Sequence, residues 1–237
     1  PNRIAKRSLA NRQKDYTELA KDLGRLSLHY ELNRQLLEST EHWDSYDYGE
    51  GYFYQGCDLI GITGLRDTRA RFESMGLGDL LEDRTVLEIG CNSGFLALYI
   101  AQVAKHVSGF DINPYLIRMA DITAQHLGLS DKVDFATAAF EDYRSDQDFD
   151  VVLSFANHST YDGQTAQSVE EYFERCRNIL VPGGLFLFES HHPGHEGDKL
   201  EAVCDLVGKM FSIEDRRTLD EGSYLDRGRT FIIARRA

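Results

Sequence analysis

From Thr85 to Phe188 the chain alternates short, nearly continuous apolar runs with longer stretches in which apolar residues recur every three or four positions. That alternation predicts strands buried on both faces and running parallel, with amphipathic helices between them. The strands are expected at Thr85–Ile89, His106–Phe110, Lys132–Thr137, Phe149–Phe155 and Gly184–Phe188. Asn113 and Pro114 form an N-cap and first-turn pair for a helix whose inner face is Leu116, Met119, Ala120, Thr123 and Leu127, with Gly128 as its stop. Val169, Phe173, Cys176 and Leu180 give the next helix a core stripe, with Pro182 as the expected terminator. The segments MFSIEDRRTL and TFIIARR, separated by a turn-rich stretch, read as a closing antiparallel hairpin.

Upstream the pattern differs. Tyr16, Leu19, Ala20, Leu23, Leu26 and Tyr30 recur at helical spacing, which predicts one amphipathic helix or two short ones between Asp15 and about Leu37. HWDSYDYGEGYFYQGCD has no period and reads as an ordered aromatic loop, and a further helix is expected from about Arg66 to Met75. The expected organisation is therefore a helical cap with an aromatic loop over residues 1–64, followed by an α/β domain over 65–237.

Composition narrows the functional classes. A formal net charge of −13 repels phosphate backbones and anionic lipid, so no general nucleic-acid or membrane role is expected, and a small-molecule partner is favoured. The basic run Arg3, Lys6, Arg7, Arg12 and Lys14 reads as a solvated helix start. With neither a membrane-length apolar stretch nor the apolar core of a signal peptide, a cytoplasmic location is expected. Cys57, Cys91, Cys176 and Cys204 are far apart and form no CxxC pair, which suits a reducing compartment. Oligomeric state is not legible.

The segment VLEIGCNSGF carries the first chemistry. A buried strand runs into a glycine-bearing turn and then a helix, a junction that presents backbone N–H groups to a ligand. Asp111 closes the next strand about twenty residues later, where a carboxylate can accept both ribose hydroxyls. A nicotinamide fingerprint requires G-x-G-x-x-G, but Asn92 and Phe95 occupy the second and third glycine places.

The acid-x-Gly-x-x-x-Gly motif of Glu88, Gly90 and Gly94 resembles the first motif of the class I S-adenosylmethionine-dependent methyltransferases. Asp111, the segment AAFED, the strand DFDVVLSFAN and VPGGLFLFES follow in that family's order, so the resemblance covers about Leu81 to Ala237. It implies a Rossmann-like, doubly wound, mostly parallel seven-stranded sheet with an antiparallel C-terminal hairpin and an N-terminal helical cap. It also implies S-adenosylmethionine as cofactor and S-adenosylhomocysteine as product. Gly90, Cys91 and Asn92 would line the methionine part, Asp111 and Ile112 the ribose, Phe140 and Glu141 the adenine, and Phe155 would close the pocket. Gly64, Arg66, Thr68 and Arg71 loosely match a pattern that precedes the first motif in one subgroup, and Arg66 is the candidate for the methionine carboxylate.

Candidate acceptor residues lie outside those motifs. Trp43, Tyr46, Tyr48, Tyr52 and Tyr54 can form a lid, with Tyr52 and Tyr54 as substrate candidates. Asn157 and His158 follow the fourth strand, and Glu189, His191, His192, His195 and Glu196 follow the fifth, at the strand ends where open α/β sheets bind ligands. Asn157 and His195 are substrate candidates. His158, His191 and His192 are candidate general bases, favoured over a metal site because no helix or hairpin fixes a ligand geometry. The expected reaction is methylation of a small-molecule oxygen nucleophile. A nitrogen or carbon acceptor, a modified RNA base, a non-methylating enzyme of the same fold and a non-catalytic cofactor-binding module stand as alternatives.

Overall fold

The computed structural model describes residues 13–43, 53–159, 167–220 and 222–237, with the Glu196 side chain outside the description. Its centre is a seven-stranded sheet in the order β3-β2-β1-β4-β5-β7-β6. The strands are β1 (Thr85–Ile89), β2 (His106–Asp111), β3 (Val133–Thr137), β4 (Phe149–Phe155), β5 (Leu180–Glu189), β6 (Ser212–Leu219) and β7 (Arg229–Arg235). β1 to β5 pair in parallel, and β7 joins β5 and β6 antiparallel. The expected doubly wound sheet with a C-terminal hairpin is present. Strand order reverses between β1 and β4, so the crevice at their carboxyl ends is the topological switch point of the sheet.

Two apolar layers cover the sheet. One contains Val86, Val107, Val151, Leu153 and Leu185 from the strands and packs against helices α1 (Leu23–His42), α2 (Thr68–Ser74), α3 (Leu77–Leu81), α4 (Phe95–Ile100) and α5 (Pro114–Leu127). The other contains Leu87, Phe110, Val152, Phe186 and Phe188 and packs against α6 (Val169–Asn178) and α8 (Leu200–Met210), which follows the one-turn α7 (Pro193–Glu196). The alternation Val86/Leu87 and Leu185/Phe186 across the two layers is the period-two pleat of a strand buried on both faces.

Local chemistry sets the helix ends. Asn113 Oδ1 accepts from the Tyr115 amide at 3.0 Å, and Gly128 ends α5 at φ 68°. Ser168 and Glu171 form a reciprocal capping box on α6. The Asp22 carboxylate starts α1 by accepting from the Gly24 and Arg25 amides, which divides the N-terminal region into a helix over 13–19 and the longer α1. α6 ends at Asn178, four residues before Pro182. Pro182 instead lies in β5, in an irregular stretch before continuous pairing with β4 resumes at Leu185, where its missing N–H costs no ladder bond.

The N-terminal elements meet the sheet near its carboxyl ends. The Asp15 carboxylate accepts from the Thr63 amide and hydroxyl at 2.8 and 2.7 Å, and Asn113 Nδ2 donates to Ser39 Oγ of α1 at 3.0 Å. Residues 55–57 and 62–66 lie side by side through the bridges Gln55–Arg66 and Cys57–Ile62. Among the described residues, no helix is long and apolar enough to cross a membrane.

Candidate active site

The glycine turn after β1 is held open by backbone conformation. Gly90, Asn92 and Gly94 all adopt positive φ, at 61°, 58° and 70°. A Cβ on Gly94 would lie 2.5 Å from the Ala120 Cβ and 3.0 Å from the Phe135 ring, so only glycine lets α4 begin this close to α5 and β3. A Cβ on Gly90 would lie 2.7 Å from Asn157 Oδ1. Asn157 reaches across the β4 end and donates from Nδ2 to the Ile89 carbonyl of β1, so one side chain ties the two strands of the switch point together.

Asp111 stands beside this turn. Its Oδ2 accepts from the Asn92 amide and its Oδ1 from the Asn113 amide, each at 3.0 Å, and the Cys91 amide donates to the Phe110 carbonyl at 2.9 Å. Burial pushes the Asp111 carboxyl up from its ordinary value, against the amides of Asn113, Asn92 and Ile112. The structure thus brings Gly90, Cys91, Asn92, Gly94, Asp111 and Ile112 into one rim. Phe140 packs between Phe110 and Tyr172, with ring centroids at 5.7 and 5.1 Å, and the Arg175 guanidinium lies 5.0 Å above its ring. Glu141 lines an open cavity of about 480 Å³ together with Gln167 and Arg175.

Beneath the switch point lies a buried ionic cluster. Glu189, at the end of β5, accepts from Arg66 Nη2 at 2.6 Å and Arg71 Nη2 at 2.8 Å, with Arg229 Nε at 3.6 Å. Asp226, in the turn between β6 and β7, accepts from Arg66 Nε at 2.5 Å and lies 3.7 Å from Arg71 Nε. Burial pushes the Glu189 carboxyl up, but Arg66, Arg71 and Arg229 outweigh it and hold it down at about 2. Arg66, the sequence candidate for a ligand carboxylate, therefore has two of its nitrogens engaged by protein carboxylates. Arg71 differs, because its buried Nε and Nη1 make no hydrogen bond. Its guanidinium lies 5.8 Å from the Phe155 ring.

Glu88 of β1 is 3% exposed, and its Oε2 has no hydrogen-bond partner. Burial pushes its carboxyl up to about 8, opposed chiefly by the charge of Arg71. These orphaned buried atoms and the glycine cradle fit an adenosyl amino acid. Asp111 would hold its ribose, the amides of the turn its backbone-contacting edge, and Glu88 with the arginine cluster its charged end.

The histidines converge in part. His158 packs against Phe188 at 5.2 Å and His191 at 4.8 Å, and both histidines are buried. His191 Nε2 lies 2.9 Å from the Ser159 carbonyl and 3.2 Å from its hydroxyl. His195 is exposed with its ring 4.9 Å from that of His191. His192 points elsewhere: its Nδ1 accepts from the Gly194 amide as the cap of α7, and its ring lies 5.2 Å from Tyr224. Among the described residues no cluster of His, Cys, Asp or Glu is arranged to hold a metal ion. Trp43 follows α1 as its C-cap, and the Tyr54 carbonyl accepts from the Arg66 amide at 2.9 Å. Tyr46, Tyr48 and Tyr52 lie outside the described residues. Sequence reasoning missed Asp226 and Arg229, which sit in a turn with no motif. It named Arg71 only as part of a pattern and Glu189 only as one member of a histidine-rich cluster.

Comparison with known proteins places this geometry. Residues 86–184 match the family model described as a methyltransferase domain. The chain is 32% identical to sterol 24-C-methyltransferase ERG6B of Gibberella zeae over 148 residues, which is 60% of this chain and 37% of that protein. It is 29% identical to the ubiquinone biosynthesis O-methyltransferase of Paraburkholderia xenovorans over 117 residues, 46% of this chain and 45% of that one. The chain thus spans less than half the length of these curated relatives. Among solved structures, the N-methyltransferase NodS from Bradyrhizobium japonicum WM9 in complex with S-adenosyl-L-homocysteine superposes with a TM-score of 0.60. That match covers 86% of this chain and 98% of that one at 16% identity, a likeness of fold.

Proposed function

We propose that this chain, whose residues 86–184 match a methyltransferase domain and whose motifs resemble those of the class I methyltransferases, uses S-adenosylmethionine to methylate an oxygen atom of a small molecule, with His191 as general base. What supports this reading is the glycine turn with Asp111 and Asn157 at the sheet switch point, and the buried His158–His191 pair in the loops that follow the neighbouring strands β4 and β5. The O-methyltransferase of Paraburkholderia xenovorans supports an oxygen acceptor, and the net charge of −13 favours a small one.

The donor supplies a methyl group already activated on a sulfonium, so the protein's task is alignment and, for a hydroxyl acceptor, removal of one proton. The Ser159 carbonyl can only accept, so its 2.9 Å bond to His191 Nε2 places a proton on that nitrogen and orients the ring. As the acceptor oxygen bonds to the methyl carbon, the hydroxyl proton would pass to the His191 imidazole and the methyl–sulfur bond would break to leave S-adenosylhomocysteine. The buried His158 ring, tilted 50° to that of His191 at 4.8 Å, holds it from one side.

The test has two stages. Radiolabelled methyl transfer from S-adenosylmethionine to a metabolite extract should yield a base-stable methyl ether. Replacing His191 by Gln should then lower kcat by about 10²–10⁴-fold while leaving S-adenosylhomocysteine binding intact. Unchanged turnover at neutral pH after replacing His158, His191 and His192 together would remove the base from the mechanism.

A further inference from the structure

On the methyl-transfer reading above, in which His191 is the base, we infer that Ser190 ends the β5–β7 ladder with its side chain and so acts as a positioning residue for the His191 ring. Regular pairing of the two strands ends with Glu189 opposite Phe231, which sets Ser190 opposite Thr230. The Ser190 amide donates to the Thr230 carbonyl at 2.9 Å, one half of a hydrogen-bonded antiparallel pair. In a continued ladder the Thr230 amide would return the bond to the Ser190 carbonyl. It donates instead to Ser190 Oγ, at 2.9 Å. That hydroxyl in turn donates to the His191 carbonyl at 2.9 Å, and the released Ser190 carbonyl accepts from Arg229 Nη1 at 2.9 Å.

One side-chain oxygen thus replaces a backbone acceptor, and every polar atom of Ser190 keeps a partner. Serine suits this exchange because its hydroxyl lies close to its own backbone and accepts and donates at once. With its carbonyl turned out of the ladder, the chain leaves β7 at Ser190 and carries His191 toward the loop after β4, where Nε2 meets the Ser159 carbonyl. Arg229 secures the turned-out carbonyl: it is 4% exposed, and its Nε is tied to the Leu225 carbonyl at 2.6 Å. His191 is therefore held by its backbone from β7 and by its ring from the β4 loop. Ser190 is 1% exposed, so water does not substitute for a missing hydroxyl. Without that hydroxyl, the Thr230 amide regains an acceptor by taking back the carbonyl at position 190, which lengthens the ladder by one pair and swings His191 away from Ser159.

Proton NMR of the full, nitrogen-15-labelled chain tests it without any ligand. An imidazole N–H is seen only where a hydrogen bond and burial slow its exchange with water. The wild-type chain should show such a proton on His191 Nε2, assigned by its loss in His191→Gln. Ser190→Ala should speed its exchange at least about tenfold, the worth of one hydrogen bond. The same variant should slow methyl transfer from labelled S-adenosylmethionine to the metabolite extract about 10- to 100-fold, the cost of a misplaced group. Its affinity for S-adenosylhomocysteine should stay within about threefold of wild type. Arg235→Met cuts the ties to Gly183 and Glu214 at the opposite end of the same strand pair, and it should change neither exchange nor transfer. Exchange that is unchanged in Ser190→Ala, or accelerated equally in Arg235→Met, overturns the inference. A wild-type chain with no observable His191 ring proton overturns it before any variant is made. Faster exchange in Ser190→Ala with undiminished methyl transfer upholds the positioning of the ring and overturns the reading of His191 as base.

Discussion

Replacing Glu88 by Gln should make the ligand-free protein more stable, by an amount that depends on pH. Unfolded, Glu88 ionises near its ordinary value of 4.5, whereas in the fold burial holds it at about 8. At pH 7 the unfolded chain gains ionisation free energy that the folded chain forgoes. With about 1.4 kcal/mol for each tenfold ratio, that gap is about 3 kcal/mol at pH 7 and about 5 kcal/mol above pH 8, and it vanishes near pH 4.5. The sign follows from a raised folded value: the wild-type protein loses stability as pH rises from about 4.5 to about 8 and levels off beyond it. A buried amide and a buried protonated carboxyl have similar hydrogen-bond needs, so Gln removes the ionisation difference and little else. Urea unfolding of both proteins at pH 5, 7 and 8.5 reads the gap directly. Saturating S-adenosylhomocysteine should narrow it at pH 7, because an ammonium beside Glu88 favours the ionised form. A stability difference that stays the same at all three pH values would refute the reasoning.

Three further outcomes are expected. Glu189→Leu leaves three arginines facing one carboxylate and should cost about 3–5 kcal/mol in denaturant unfolding; in the wild-type protein the Glu189 contribution is present above pH 4.5 and is lost as pH falls toward about 2. Gly94→Ala combines a φ of 70° with a 2.5 Å approach to Ala120 and should destabilise the fold by about 3 kcal/mol, seen as a lower urea midpoint. Asp111→Asn removes the charge that faces the Asn92 and Asn113 amides and should weaken S-adenosylhomocysteine binding by about 10- to 100-fold in calorimetry, with a far smaller change in melting temperature.

The parallel strands were legible because each is buried on both faces, which writes a nearly unbroken apolar run: β1 and β4 fall on Thr85–Ile89 and Phe149–Phe155 as the pattern predicts. α5 was legible for a different reason, since Asn113, Pro114 and Gly128 are local signals that need no tertiary context. Pro182 misled because proline signals only the absence of an N–H donor, which an irregular strand start satisfies as well as a helix stop does. Glycine spacing and Asp111 made the rim readable, as both respond to one nearby backbone bend. The ionic cluster was not readable. Asp226 and Arg66 are 160 residues apart, and an isolated acid in a turn carries no mark of the charge it meets after folding.

That cluster also argues about where this chain's specificity resides. A buried group of three arginines and two carboxylates is a poor means of gaining stability, since well-packed apolar residues of similar volume do as well or better. Apolar side chains could not, however, hold a guanidinium at 3% exposure with two nitrogen atoms still open to an acceptor. Glu189 and Asp226 do so by gripping Arg71 from Nη2 and from beside Nε, and Phe155 lies along the guanidinium. Rigid placement of an unsatisfied cation has value only if an anion arrives in the same place each time. In the proposed reading the glycine turn and Asp111, which lie within the matched segment, would hold the adenosyl part. The cluster itself is assembled from α2 and the segment before it, the end of β5 and the C-terminal hairpin turn, all outside the matched 86–184 segment.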